Sequence, residues 1–149
     1  MEKLYTSKSY KQTQKLGENF AKKILKLPSS NTAVVLGLQG NLGGGKTTFL
    51  QGFAKGLGVK EKILSPTFVI QKRFKIKDSR FKNFYHIDCY RLKNEKDILE
   101  LGWKEIISNP ENIVAIEWPE RVKRILPKKM IFVGFNFIDE KKREIKFKL

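Results

Sequence analysis

The chain has 149 residues, enough for one domain with a real core, and its 31 Lys and Arg against 15 Asp and Glu leave it at +16. No apolar run approaches the roughly 20 residues of a membrane span. The single cysteine, Cys89, allows no intrachain disulfide, and one His with one Cys cannot make a usual zinc site. The opening residues MEKLYTSKSYKQ lack an apolar signal-peptide core, so a reducing cytoplasm is the expected setting.

Residues 1–8 lead in as strand or coil. Ser9 and Gln12 have the spacing of a capping box, and the helix they open places Leu16, Phe20, Ala21, Ile24 and Leu25 on one face. Pro28 and Ser29-Ser30-Asn31 end it. Ala33 to Leu38 is an apolar, β-branched run that reads as a buried strand.

Gly40-Asn41-Leu42-Gly43-Gly44-Gly45-Lys46-Thr47 then fits G-x-x-x-x-G-K-[ST], the phosphate-cradling loop. Its glycines let successive N–H groups point into one concavity, and the start of the next helix strengthens that anion site. Lys46 is placed to reach the β- and γ-phosphates and the Thr47 hydroxyl to ligate Mg²⁺. Phe49, Leu50, Phe53, Ala54 and Leu57 recur at helical spacing, closed by Gly56 and Gly58. Strand, glycine loop and helix is the context this motif requires. A glycine-rich turn that binds nothing is the bland alternative.

Pro66 pushes Ser65 out of helical geometry, so Ser65-Pro66-Thr67 reads as a turn or strand entry. Thr67 to Ile76 and Phe81 to Tyr90 read as a hairpin around Lys77-Asp78-Ser79-Arg80. In its second strand Phe84, His86, Asp88 and Tyr90 share one face. A lone histidine is more often structural than catalytic. A carboxylate inside an apolar strand is expensive without a partner, which singles out Asp88.

Asn94 caps a short helix through Leu101, and Trp103 to Ser108 forms another. Ile113 to Ile116 is a second buried strand ending in Glu117-Trp118-Pro119-Glu120-Arg121. An apolar strand ending in a carboxylate is the Walker B arrangement, and in open α/β sheets the ligand lies beyond the carboxyl ends of the strands. That places Glu117 beside the glycine loop. One or two helical turns follow over Val122 to Leu126, and Met130 to Ile138 with Arg143 to Leu149 reads as a terminal hairpin. The fold expected is α/β of the P-loop NTPase kind. It is a small three-layer domain over 1–149, with a mostly parallel central sheet and antiparallel hairpins.

The positive charge invites a nucleic-acid reading. The alternative is lysine covering solvent faces. Arg73, Lys75 and Lys77 alternate with Phe74 and Ile76, and Lys146 and Lys148 alternate with Ile145, Phe147 and Leu149. Both patterns fit strands with one charged face, and lysine also guards a strand edge.

A nucleoside triphosphate with Mg²⁺ needs a cradle, oxygen ligands for the metal and a group that orients the nucleophile. Glu117 is assigned to the metal, directly or through water. Asp88 is assigned to the metal shell or to the attacking water. The two assignments are interchangeable. Pairing of Glu117 with Arg121, and of Asp88 with Arg91 or Tyr90, are the structural alternatives.

The ordered set G-N-L-G-G-G-K-T-T, S-P-T-F, H-I-D-C-Y-R-L, E-L-G-W and E-W-P-E-R resembles the TsaE (YjeE) family. These are small bacterial ATPases of tRNA threonylcarbamoyladenosine biosynthesis. The resemblance runs from about Thr13 to Pro127. It implies that Thr47 and Glu117 are Mg²⁺ ligands and Asp88 an essential carboxylate near metal and γ-phosphate. It implies a phosphate-binding segment of Gly43, Gly44, Gly45, Lys46, Thr47 and Thr48. Ser65-Pro66-Thr67 corresponds to a switch-like loop, Trp118 to a nucleotide-responsive tryptophan and Thr13 to a residue near the adenine. Asn41 departs from the family's usual Asp. The implied activity is ATP hydrolysis that drives turnover of a complex of TsaB and TsaD, with tRNA contacted indirectly or by a basic surface. Competing readings are a small-molecule kinase, which needs an acceptor pocket and a lid, and a basic RNA-binding module with a vestigial glycine loop. A GTPase would need N-K-x-D, which is absent.

Overall fold

The computed structural model describes residues 2–40, 45–63 and 70–149. Ser65-Pro66-Thr67, read as a turn or strand entry, the start of the strand read from Thr67, and the expectations for Asn41, Gly43 and Gly44 lie outside these residues. The element order is β1 (Glu2–Ser7), α1 (Tyr10–Leu25), β2 (Val34–Gln39), α2 (Lys46–Gly56), β3 (Gln71–Lys75), β4 (Asn83–Asp88), α3 (Lys96–Leu99), α4 (Trp103–Ser108) and β5 (Asn112–Glu117). A 3₁₀ segment (Pro119–Ile125), β6 (Ile131–Phe137) and β7 (Arg143–Lys148) complete it.

The strands form one sheet in the order β1-β7-β6-β2-β5-β4-β3. Its middle is parallel: β2 pairs with β6 and β5, and β5 with β4. The outer pairs, β3–β4, β6–β7 and β1–β7, are antiparallel. The α/β expectation and both hairpins hold. The second strand of the first hairpin is shorter than the apolar run suggested. Asp88 Oδ1 accepts from the Tyr90 backbone N–H at 3.0 Å, which starts a turn and ends β4 at Asp88.

Ser9 caps α1 by accepting from the Gln12 N–H at 3.1 Å. The return half of the box is displaced by one residue, because Gln12 Oε1 accepts from Lys8 N rather than Ser9 N. The apolar face of α1 packs with α2 on one side of the sheet, where Phe20, Phe49, Phe53, Phe84, Phe135 and Phe147 interlock. α3, α4 and the 3₁₀ segment cover the other side, with Trp103, Ile98 and Val122 packed on Val35, Ile87, Val114 and Ile116. That second layer stops at the middle of the sheet. Over β1, β7 and β6 a hollow of about 500 Å³ lined by Leu4, Phe132, Gly134 and Lys146 takes its place.

The lysine pattern divides. β3 is an edge strand, with Phe74 and Ile76 buried and Arg73, Lys75 and Lys77 exposed, as an edge guard requires. β7 lies between β1 and β6, so Lys146 and Lys148 guard nothing. They reach across to Glu2 at 3.4 and 3.9 Å. Leu149 leaves the apolar face and is 63% exposed.

α1 and α2 come together backbone to backbone. A Cβ on Gly52 would stand 1.9 Å from the Gln14 carbonyl oxygen, and one on Gly17 would stand 2.2 Å from that of Phe49. Alanine is the better helix former by about 1 kcal/mol, yet here it must push the helices apart. Gly52→Ala is therefore expected to lower stability by about 1–3 kcal/mol in a denaturant titration. An unchanged or raised midpoint would contradict the close packing.

Candidate functional site

Glu117 and Asp88 reach the same end of the sheet because β2, β5 and β4 run parallel in register. Leu38 stands opposite Glu117, and Glu117 opposite Asp88. β2 ends at Gln39, one residue before Gly40. Gly40 passes so close to β6 that a Cβ would meet the Phe135 carbonyl oxygen at 2.6 Å. Gly45 precedes α2 at φ 101°, in the left-handed region that glycine enters without strain. No side chain caps α2 and its first turn carries no acidic residue, so its leading N–H groups are left for an anion. Thr47 and Thr48 lie half-buried on that first turn.

Lys46 opens α2 and points its side chain into the sheet end, where it is 5% exposed. Its Nζ donates to the Gly40 carbonyl at 2.7 Å and stands 4.0 Å from the centre of the Trp118 ring. Burial lowers its pKa below the ordinary lysine value, and the negative charges of Glu117, Asp88 and Glu120 oppose that shift. Asp88 moves the other way. Burial and the neighbouring Glu117 raise its pKa, against the Tyr90 hydrogen bond, His86 and Lys46.

Glu117 does not pair with Arg121. It is 5% exposed, and its Oε2 lies 2.6 Å from His86 Nε2. A carboxylate accepts, so the imidazole N–H donates. Part of the structural alternative for Asp88 is present, since it holds the Tyr90 N–H. Trp118 adopts φ 59° and ψ 52°, a left-handed conformation uncommon for a non-glycine residue. Its ring meets Lys46 Nζ and also lies 5.1 Å from the Tyr90 ring.

Thr13 is buried, with Oγ1 2.6 Å from Ser7 Oγ and 3.3 Å from the Ser9 carbonyl. Its methyl group borders Gly45, where a Cβ would come within 3.6 Å of it. Thr13, Gly40, Gly45, Lys46, Thr47, Thr48, Asp88, Glu117 and Trp118 thus come from α1, the β2 end, α2, β4 and the β5 end.

Two further residues belong to this end of the sheet. Alternation puts His86 on the Asp88 face, and the β4–β5 register gives it Glu117 as a partner. Glu120 lies one turn beyond Glu117, and its Oε1 is buried without a hydrogen-bond partner among the described residues. Cys89, just past β4, packs with Ile87 on the other side of the sheet, where burial pushes its thiol pKa up to about 12, so it is not a ready nucleophile.

Thr47, Asp88 and Glu117 offer only oxygen donors, which suits a hard cation such as Mg²⁺. Among the described residues no group of three or more His, Cys, Asp or Glu could hold a metal by itself. A cation here would therefore complete its shell with water and ligand oxygens, as Mg²⁺ commonly does.

Among the described residues no helix is long and apolar enough to cross a membrane. The family model described as threonylcarbamoyl adenosine biosynthesis protein TsaE matches residues 7–145. The tRNA threonylcarbamoyladenosine biosynthesis protein TsaE of Haemophilus influenzae is 33% identical over 126 residues, covering 85% of this chain and 77% of that protein. That of Bacillus subtilis is 35% identical over 113 residues, covering 76% and 68%. The crystal structure of Bacillus YdiB superposes with a TM-score of 0.74 at 26% identity, covering 99% of this chain and 84% of that one. With the family model matched over residues 7–145 and relatives 33% and 35% identical over most of its length, the chain belongs to the TsaE family of tRNA threonylcarbamoyladenosine biosynthesis proteins.

Proposed function

We propose that this chain is a single P-loop ATPase domain that binds and hydrolyses ATP with Mg²⁺. The hydrolysis resets a threonylcarbamoyl-transferring complex of TsaB and TsaD type in the cytoplasm. One observation carries the reading: a buried lysine and two carboxylates converge where an uncapped helix N-terminus meets the strand ends. Such a set suits phosphate with a divalent cation better than any neutral ligand.

In this reading Gly40, Gly43, Gly44, Gly45 and Thr48 contribute to the phosphate cradle, and Lys46 leaves the Gly40 carbonyl and the Trp118 ring to meet the β- and γ-phosphates. Thr47 and Glu117 hold Mg²⁺, which supplies charge neutralisation at the phosphates when bound. Asp88 serves the metal shell or orients the attacking water, and the two carboxylates are interchangeable in these roles. Thr13 borders the nucleotide through its methyl edge. Trp118 responds to the nucleotide because the cation resting on its ring is withdrawn. Asn41 removes a charge beside the cradle without removing a backbone donor. The basic surface lies close to tRNA in the assembled complex, or touches it.

Saturating Mg²⁺–ATP at ~100 times its dissociation constant is expected to stabilise the chain by ~2.7 kcal/mol. Glu117→Ala and Asp88→Ala are each expected to slow hydrolysis by about 100-fold or more, with a smaller loss of nucleotide binding. No thermal shift with millimolar ATP or ADP would remove the nucleotide site, and normal hydrolysis by both variants would remove the assigned roles. Size-exclusion chromatography with a TsaB–TsaD pair should show association that depends on nucleotide. Equal elution with and without ATP counts against the partnership.

The raised pKa of Asp88 gives a pH signature. In the window between its unfolded and folded values the native state holds the extra proton, so stability falls as pH rises through it. Above that window the ionised carboxylate works against folding. Asp88→Asn, which keeps the oxygen that accepts from Tyr90, should raise the melting temperature of the nucleotide-free chain at neutral pH. The gain should shrink as pH is lowered through the window. A lowered melting temperature at neutral pH would show that Asp88 is chiefly a structural partner.

A further inference from the structure

His86 and Glu117 are a buried pair, with side chains 5% and 7% exposed and 2.6 Å between Nε2 and Oε2. They do not stand opposite one another in the sheet. His86 is in register with Ala115, and Glu117 with Asp88. Ala115 carries only a methyl group, so the imidazole can lie across β5 and reach the carboxylate two residues further on. The rest of that face of β4 and β5 is apolar where it is buried, with Phe84, Ile113 and Ala115 in the core. The ring is thus buried, and among the described residues its Nε2 meets the Glu117 carboxylate.

A carboxylate at a strand end would otherwise turn about its last torsion among several orientations. Capturing Oε2 removes that freedom and leaves Oε1 as the atom directed to a ligand. A hydrogen-bond partner behind a metal-binding group fixes orientation in this way.

We propose that His86 is a positioning residue. Through Nε2–H it holds the Glu117 carboxylate in the orientation that Mg²⁺ requires. The inference rests on the nucleotide reading above and extends it to a residue that touches neither nucleotide nor metal. Asp88, one pleat further along the same face, is free of this clamp, and its oxygen is instead engaged by the Tyr90 N–H. The two carboxylates are thereby distinguished by what holds them: an imidazole for Glu117 and a turn of backbone for Asp88.

The test compares His86→Leu, His86→Gln and His86→Asn in the full chain. The glutamine amide reaches about as far as Nε2, and the asparagine amide falls short of it. Nucleotide affinity is measured by calorimetry across Mg²⁺ concentrations and again with ADP and chelator. His86→Leu and His86→Asn are expected to raise the Mg²⁺ needed for half-maximal effect by about 10- to 100-fold, with metal-free ADP affinity unchanged. His86→Gln is expected to stay near the unaltered chain. If His86→Leu does not fold, the Gln and Asn variants alone decide. Equal Mg²⁺ dependence in the Asn variant and the unaltered chain, or equal shifts in the Gln and Asn variants, overturns the proposal. If the unaltered chain binds nucleotide with no Mg²⁺ dependence, or binds none, the nucleotide reading fails first and this inference falls with it.

Discussion

An ammonium group and two carboxylates share one largely buried end of the sheet, and the parallel pairing of β2, β5 and β4 is what brings them there. Taking any one of these charges from water is unfavourable, and their mutual attraction in a poorly screened site offsets part of that loss. The arrangement tolerates little slippage. Moving β4 by one residue along β5 would turn His86 and Asp88 to the opposite face and bring Ile87 and Cys89 in their place. Hydrophobic burial guards against this, because Phe84 and Ile113 are fully buried on one face while Ile87 and Ile116 are fully buried on the other. Packing that looks generic therefore sets the spacing of the chemistry.

The same end of the molecule is not built for stability. Trp118 stands in a backbone conformation that disfavours a large side chain, directly before Pro119, where an extended backbone is the usual choice. Asp88 is half-buried with its charge disfavoured. Glu120 Oε1 lacks a described partner. Unfavourable features gathered at one place, while the aromatic cluster under α1 and α2 is well packed, are the pattern expected where function is retained against folding stability.

Much of this was legible in the sequence because local signals agreed. The Ala33 to Leu38 run, the glycine loop and the i, i+3, i+4 spacing after Lys46 each demand the next element, and the strand before the loop and the helix after it are both found. Asp88 stands out because a carboxylate is costly inside an apolar strand, and Glu117 because it ends an apolar strand in the Walker B arrangement. Other features depended on neighbours distant in sequence. Lys146 and Lys148 resemble an edge guard until β1 is known to pair outside β7. His86 was a lone histidine until the β4–β5 register revealed the carboxylate diagonal to it. The end of β4 was misjudged because Cys89 and Tyr90 continue the alternation, while the Asp88 side chain turns the backbone away. Cross-strand partners and side-chain-to-backbone bonds leave no periodic trace.

The pairing of β1 with β7 has a consequence for the order in which the molecule assembles. β1 holds residues 2–7, yet its sheet neighbour begins at Arg143. Ser7, at the end of β1, is also the hydroxyl partner of Thr13. During synthesis the N-terminal strand therefore emerges long before the strand that receives it, and α1 can pack on α2 while its leading edge is still unanchored. The sheet closes only when Arg143–Lys148 has left the ribosome. A truncation that removes β7 would therefore undo structure at both ends of the chain, including the hydroxyl network beside Gly45.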